Sequence, residues 1–274
     1  MIRILDKGTI LRLILPHLSV AKRGYRCSVS LVDVVSAILY KFKSGCQWHM
    51  LPVDAFFKSK KIKALSVYYH FRKWALDGSW RRVARVLMRY NPQVFDLSLA
   101  HFDGTHSRVI RGGKVTGYQR RRRSKTTNTL WLVDRNGLVV SYLQPIAGNH
   151  NDLYNIENGL LQMAQDLKSK GVSTDGLFIN ADAGFDSESL RHLCERMGIQ
   201  LNCPFVKRNN KHLDVYDWHF DSLMYQERFT VERTNAWMDA FRTLSVRYDT
   251  SIESWIAWHD IFCVVAWCRK ISKV

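Results

Sequence analysis

Apolar residues at Leu31, Val34, Val35, Ile38, Leu39 and Phe42 recur with the 3.6-residue period of one helical face, which predicts a helix over residues 30–45. Ser30 with Asp33 resembles a capping box at its start, and Gly45 ends it. The turn from Gly45 to Pro52 is small, aromatic and proline-bearing, and is expected to pack back on that helix. Ser66 to Trp74 carries an apolar and a basic face and predicts a second helix, broken by Gly78. Ser79 can cap a third, with Trp80, Val83, Ala84 and Leu87 inward and Arg81, Arg82, Arg85 and Arg89 outward. Asn91-Pro92 reads as a linker. Residues 1–92 are therefore expected to form a small all-α domain.

The pattern changes from Asp96 onward. Leu97 to Phe102 reads as a strand ending at Asp103-Gly104. Gly112 to Lys125 is rich in Gly and Arg and reads as an exposed loop. Thr129 to Val133 and Leu138 to Leu143 flank Asn136-Gly137, a hairpin signal because that pair tolerates positive φ. Asn151 or Asp152 can cap a helix to about Lys170. The apolar run Leu177 to Ala181 reads as a buried strand that delivers Asp182 at its tip. A helix near Ser187 to Met197, a strand from Ile199 to Phe205, a helix from Glu232 and a final apolar helix from Ile252 to Cys268 complete the order. Strand, hairpin, helix, strand, helix, strand, helix is the order of a ribonuclease-H-like fold. The expected class is α/β: a ribonuclease-H-like domain over 93–274, its mixed sheet flanked by helices, preceded by a helix-turn-helix-like all-α domain. In that fold the first and fourth strands are neighbours, so Asp103 and Asp182 would lie side by side, with Glu232 brought across on a late helix.

Charge sharpens this picture. Lys and Arg total 41 against 24 Asp and Glu, a net +17, and such an excess favours a polyanionic partner, most often nucleic acid. The outward arginines of the third helix, the four lysines between Lys58 and Lys63, and Arg72 and Lys73 fit a DNA-reading helical domain. A solvated basic face is the alternative. Arg120, Arg121, Arg122 and Arg123, with Lys125, form a second basic stretch able to bind phosphate. No apolar run approaches the roughly 20 residues of a membrane span, and no signal peptide is evident at the start. The six cysteines are scattered without a CxxC pair, which suits reduced thiols and a cytoplasmic location.

Three carboxylates at such positions have a chemical use. Phosphodiester cleavage needs an activated oxygen nucleophile and stabilised charge on phosphate and leaving oxygen, and two Mg²⁺ ions about 3.5–4 Å apart can serve both. Mg²⁺ prefers oxygen ligands, so Asp103, Asp182 and Glu232 are suitable side chains. Taken singly, Asp103 could be a turn residue, Asp182 a helix cap and Glu232 a surface acid near a positive helix end. His101, His106 and His150 show no zinc spacing. Trp131, Trp237, Trp255, Trp258 and Trp267 are expected in the core.

A family resemblance gathers these features. Leu15-Pro16, Gly45-Cys46-Gln47-Trp48, Leu51-Pro52 and Phe71-Arg72-Lys73-Trp74 carry it in the first part. Phe102-Asp103-Gly104-Thr105, Gly148-Asn149-His150-Asn151-Asp152, Ala181-Asp182-Ala183-Gly184-Phe185-Asp186-Ser187 and Val231-Glu232-Arg233-Thr234-Asn235-Ala236-Trp237 carry it in the second. In this order they resemble bacterial insertion-sequence transposases of the IS5 group, within the wider IS4-like DDE transposases. The resemblance implies catalytic and metal-binding Asp103, Asp182 and Glu232, with Mg²⁺ as cofactor and Mn²⁺ able to replace it. It implies double-stranded DNA partners, the element's terminal inverted repeats and a target, in a homodimer or larger synaptic assembly away from membranes. Tyr225, Arg228 and Glu232 match the family's Tyr, Arg, Glu, Lys signature, which implies that Tyr225 and Arg228 face DNA. The lysine position holds Asp239, and Asp186 is the other candidate for the second acid. Two alternatives stand beside this reading: a DNA-binding relic without catalysis, and a ribonuclease-H-like nuclease that cuts without strand transfer.

Overall fold

The computed structural model describes residues 4–20, 27–58, 62–207 and 219–272. In chain order its main elements are α1 (Leu31–Ser44), α2 (Ala64–Leu76), α3 (Ser79–Tyr90), β1 (Ala100–Val109), β2 (Gly117–Gln119), β3 (Ser124–Asp134), β4 (Val139–Tyr142), β5 (Ile146–Ala147), α4 (Ile156–Ser169), β6 (Phe178–Ala181), α5 (Glu188–Arg196), β7 (Gln200–Asn202), α6 (Ser222–Gln226), α7 (Phe229–Asp239), β8 (Val246–Arg247) and α8 (Ile252–Ile271). Within the lysine run, residues 59–61 lie outside the described residues.

The chain divides into two compact units. The first comprises Met1–Asn91, Arg108–Lys114 and Met238–Val274; the second comprises Pro92–Ser107 and Val115–Trp237. In the first unit, Val34, Val35, Ile38, Leu39 and Phe42 of α1 are buried, as their period requires. Ser30 stands at the N-cap of α1 but makes no side-chain capping bond. Its expected partner Asp33 is instead drawn to Lys7, 2.6 Å away. Gly45 ends α1 at φ 69°, and a Cβ there would come within 2.7 Å of Arg242 Cβ, so both conformation and space call for glycine. The long helix α8 is buried on almost every side from Ser254 to Cys268 and packs against α2 and α3. Trp258 at its centre stacks on Phe71 with ring centroids 4.1 Å apart.

The second unit is built on a mixed sheet of order β2-β3-β1-β6-β7, with β4 and β5 also paired to β3. β1 with β6 and β6 with β7 run parallel, whereas β2, β4 and β5 run antiparallel to β3. The expected hairpin joins β3 to β4. Gly137 takes the left-handed conformation at φ 88°, and Asp134 N–H donates to Leu138 O at 2.8 Å.

Several boundaries differ from the sequence pattern: the stretch Gly112 to Lys125, expected as a loop, holds β2 and the start of β3, β3 begins at Ser124 rather than Thr129, and α7 begins at Phe229 rather than Glu232. β1 does not stop at Phe102 but runs through the polar residues to Val109, because β3 lies beside it and continues the sheet. α4 starts at Ile156 with Asn155 at its N-cap, since Asp152 is engaged by Asn128 Nδ2 at 2.5 Å. β7 ends at Asn202, after which Cys203 turns its thiol to Asp182 O and Pro204 offers no donor. Among the described residues no helix is long and apolar enough to cross a membrane.

Candidate acid-pair site

Ala100, His101 and Phe102 of β1 pair in register with Ile179, Asn180 and Ala181 of β6. Paired residues of parallel strands point to the same side. Asp103 and Asp182, each the next residue on its strand, therefore emerge side by side where the pairing ends. Arg228 spans them: its Nη2 lies 3.3 Å from Asp103 Oδ1 and 3.7 Å from Asp182 Oδ2. Asn235 of α7 donates from Nδ2 to Asp103 Oδ2 at 3.0 Å and accepts from Thr105 Oγ1 at 2.7 Å. Asp182 Oδ1 accepts from Gly184 N–H at 2.8 Å and so caps the short turn Ala183–Phe185.

Burial raises the Asp103 carboxyl above its ordinary pKa. The Arg228 guanidinium opposes that shift, and the Asp182 charge adds to it. On the other side of β1 a Cβ at Gly104 would meet Asp152 Oδ1 at 2.8 Å and Leu130 Cδ2 at 2.9 Å. Glycine here lets the Asp152 loop back the strand directly behind Asp103.

A row of buried amides sets Arg228 over the acids. His101, Asn180 and Asn202 lie in register across β1, β6 and β7. Asn202 Nδ2 donates to Asn180 Oδ1 at 2.8 Å and to Asp221 O at 2.9 Å. Asn180 Nδ2 donates to Met224 O at 2.7 Å, and Asp221 N–H returns a bond to Asn202 Oδ1 at 2.9 Å. The sheet thus grips the backbone of α6, with Tyr225 and Arg228 just beyond. Burial pushes His101 down to about 4, so its imidazole is neutral at neutral pH.

Tyr225 is half-buried on α6, and burial raises its phenol, with the Arg228 guanidinium acting against the shift. Glu232 is exposed on α7. It precedes Asn235 by three residues, the helical spacing of one face, and follows Arg228, which stands in the turn just before α7. Among the described residues no three His, Cys, Asp or Glu side chains draw together closely enough to hold a metal ion. Arg120, Arg121, Arg122 and Arg123 are exposed in the turn from β2 to β3, and Lys125 is exposed on β3.

In the first unit, Arg72 Nη1 donates to Ser251 Oγ at 2.9 Å and Ser254 Oγ at 3.2 Å, at the start of α8. Lys73 is exposed and reaches Ser19 O at 3.3 Å. Asp239 is exposed at the end of α7. Asp186 is fully buried, paired with Arg191 and bonded by Val206 N–H, so its carboxylate is committed to holding the chain after β7.

Sequence reasoning missed Asn180, Asn202, Asn235 and Asp152. Two of them left a signal. Asn180 sits two residues before Asp182, hence on the same strand face, and Asn235 lies one turn from Glu232 on the same helix.

Residues 10–84 match a family described as transposases of the IS4/5 family, and residues 102–266 match the DDE superfamily endonucleases. No curated protein matches the chain. Among solved structures, the piggyBac transposase synaptic complex with hairpin DNA aligns over 92% of this chain and 70% of that one, at 10% identity and a TM-score of 0.50. A Mos1 transposase paired-end complex with left transposon end aligns over 93% and 82%, at 12% identity and a TM-score of 0.31.

Proposed function

The chain belongs to the DDE superfamily endonucleases and is an IS4-like transposase, and from that premise we propose that Asp103, Asp182 and Glu232 are its catalytic, metal-binding acids. The observation that carries this reading is the register of β1 on β6, which brings two sequence-distant carboxylates out side by side. A DDE endonuclease depends on divalent metal. The acid pair offers only oxygen donors and already accommodates a cationic guanidinium between them, so the residues fit such an ion, Mg²⁺ first and Mn²⁺ as a substitute. Bound metal supplies Lewis-acid activation of the attacking oxygen and neutralises charge on the phosphate and leaving oxygen.

The chain's own residues do the rest. Asp103 and Asp182 would hold the ion from the sheet, and Glu232 would complete the set from α7. Asn235 orients Asp103. Arg228, released from the acids, and Tyr225 position the scissile phosphate. Arg120, Arg121, Arg122, Arg123 and Lys125 track the flanking backbone. At the end of the element, water attacks the phosphodiester and the 3′ oxygen leaves as a 3′-OH; that 3′-OH then attacks a target phosphodiester, expels the target strand's own 3′ oxygen and joins the element end to the target 5′ phosphate. Joining two ends to one target calls for a homodimer or larger synaptic assembly, acting on cytoplasmic DNA.

The test is cleavage of labelled duplex carrying the gene's own flanking ends, with Mg²⁺ or Mn²⁺. Wild type is expected to release a 3′-OH at the element boundary, while Asp182→Asn and Glu232→Gln bind the duplex but do not cut. Equal binding with no cutting by any of the three, under any metal, would leave a DNA-binding relic. Nicking without joined product would leave a nuclease.

A further inference from the structure

At the C-terminal end of α1 the first unit encloses a cavity of about 230 Å³, whose walls include Lys41, Gln47, Trp48, His49, Arg111 and Asp249. Lys41 is the unusual wall. It is only 5% exposed. Its Nζ donates to Thr243 Oγ1 at 3.3 Å and lies 5.8 Å and 5.3 Å from the ring centroids of Trp48 and Trp258. Among the described residues it makes no contact ion pair. The nearest acidic influence is Asp249, which acts on it through space while accepting Trp258 Nε1 at 3.1 Å. A buried ammonium without a contact carboxylate is costly unless an anion completes its shell.

Apart from Asp249, whose carboxylate is engaged by Trp258 Nε1, the rest of the lining supplies donors for an oxyanion. Gln47 and Arg111 are exposed at the rim and bring amide and guanidinium donors, and His49 adds a ring nitrogen. The volume falls below the roughly 300–1,000 Å³ of sites for drug-sized molecules. It suits one tetrahedral anion with its water. Thr243 fixes Lys41 at both ends, since its hydroxyl also donates to Lys41 O at 3.1 Å, so the ammonium is positioned before any ligand arrives.

We propose that this cavity is a single-phosphate site, in which Lys41 from the floor and Arg111 from the rim grip one phosphate group of a DNA backbone. Choosing DNA as the source rests on the transposase reading; the shared chemistry with free phosphate is separated by the experiment.

The experiment is the salt dependence of end-duplex binding by the full chain. Each phosphate neutralised on B-form DNA contributes about −0.9 to the slope of log K against log salt. Lys41→Met keeps the apolar stem against the tryptophans, and Arg111→Gln changes only an exposed side chain. Each is expected to lower the slope by about 0.9, and the double variant by no more than either alone, because both residues hold the same phosphate. A double variant that loses about 1.8 would mean two separate contacts and would overturn the single-site proposal.

An unchanged slope in Arg111→Gln, and in a Lys41→Met protein with a normal melting transition, would also overturn it. Should Lys41→Met fail to fold, Arg111→Gln alone decides, with the same expected and contrary results. Inorganic phosphate at fixed ionic strength is the second probe. Competition with wild-type DNA binding that Arg111→Gln abolishes supports the site. Phosphate binding that leaves DNA binding and its slope untouched overturns the DNA source. If wild type binds no duplex at all, the transposase reading fails rather than the pocket.

Discussion

Asp103 and Asp182 are held from several sides, whereas Glu232, among the described residues, is held only by the helix that carries it. Parallel register fixes the strand acids, Arg228 and Asn235 contact Asp103, and Gly184 N–H contacts Asp182. Glu232 stands exposed on α7 with its face set by helical spacing alone. In the proposed site, the difference gives the sheet acids and the helix acid separate modes of placement. A sheet places side chains through backbone bonds that are made once the fold is made. A helix offers a face, and its acid joins the others only when something between them draws it in. A divalent cation would be such an agent.

The largest test of that contrast is catalytic. Asp103→Asn, Asp182→Asn and Glu232→Gln are each expected to lower end cleavage by about 10³-fold or more, the scale on which members of a concerted unit fail. A Glu232→Gln protein that cuts normally would break the comparison by removing the helix acid from the site. Asn235→Ala is expected to cost about 10–100-fold in cleavage or metal affinity, as supporting partners of ligands do. Metal titration by calorimetry reads this directly.

Stability separates the regions next. Asn180→Leu takes from Met224 O its side-chain donor and from Asn202 Nδ2 one of its two acceptors, leaving it only Asp221 O, and is expected to cost about 1–3 kcal/mol in urea unfolding. An exposed change such as Glu232→Gln is expected to stay within about 0.5 kcal/mol of wild type.

The pH dependence of melting is a finer measure. Burial holds the folded-state pKa of Asp103 above its unfolded value near 3.9, so the folded chain binds this proton more tightly. Stability from this group is full below the unfolded pKa and is lost as pH rises through the folded one. Without metal at neutral pH, Asp103→Asn is therefore expected to melt above wild type and Glu232→Gln level with it. Divalent metal should raise wild type and not Asp103→Asn. The smallest effect concerns Asp239. Asp239→Lys is expected to steepen the salt slope of DNA binding by about 0.9 if a phosphate lies within reach, and to leave cleavage chemistry alone.

Much of this was legible in the chain. The stripe from Leu31 to Phe42 declared α1, and the apolar run Leu177 to Ala181 with Asp182 after it declared a strand delivering an acid. The element order implies that β1 and β6 are neighbours, and they pair in parallel. The rest was hidden for physical reasons. α8 is apolar on all sides, which announces burial but not the partner, and α2 and α3 are the helices it packs against. Asn180 and Asn202 look like interruptions in short strands, and only the sheet register reveals them as a hydrogen-bonded row. Asn151 or Asp152 is the N-cap that the sequence suggests, but the helix begins at Ile156 after Asn155, and Asp152 is engaged by Asn128 instead. Glu232 was named as an acid of the site, and nothing in its own surroundings distinguishes it from a surface residue.

The most direct measurement is iron-directed cleavage of the protein itself. Fe²⁺ in place of Mg²⁺, with ascorbate and peroxide, generates radicals that cut the backbone next to the bound ion. Cuts are expected near residues 103, 182 and 232 together, all suppressed by excess Mg²⁺ and lost in Asp103→Asn. Cuts near 103 and 182 with none near 232 would contradict the three-acid site, and cuts at none of the three would contradict the site altogether.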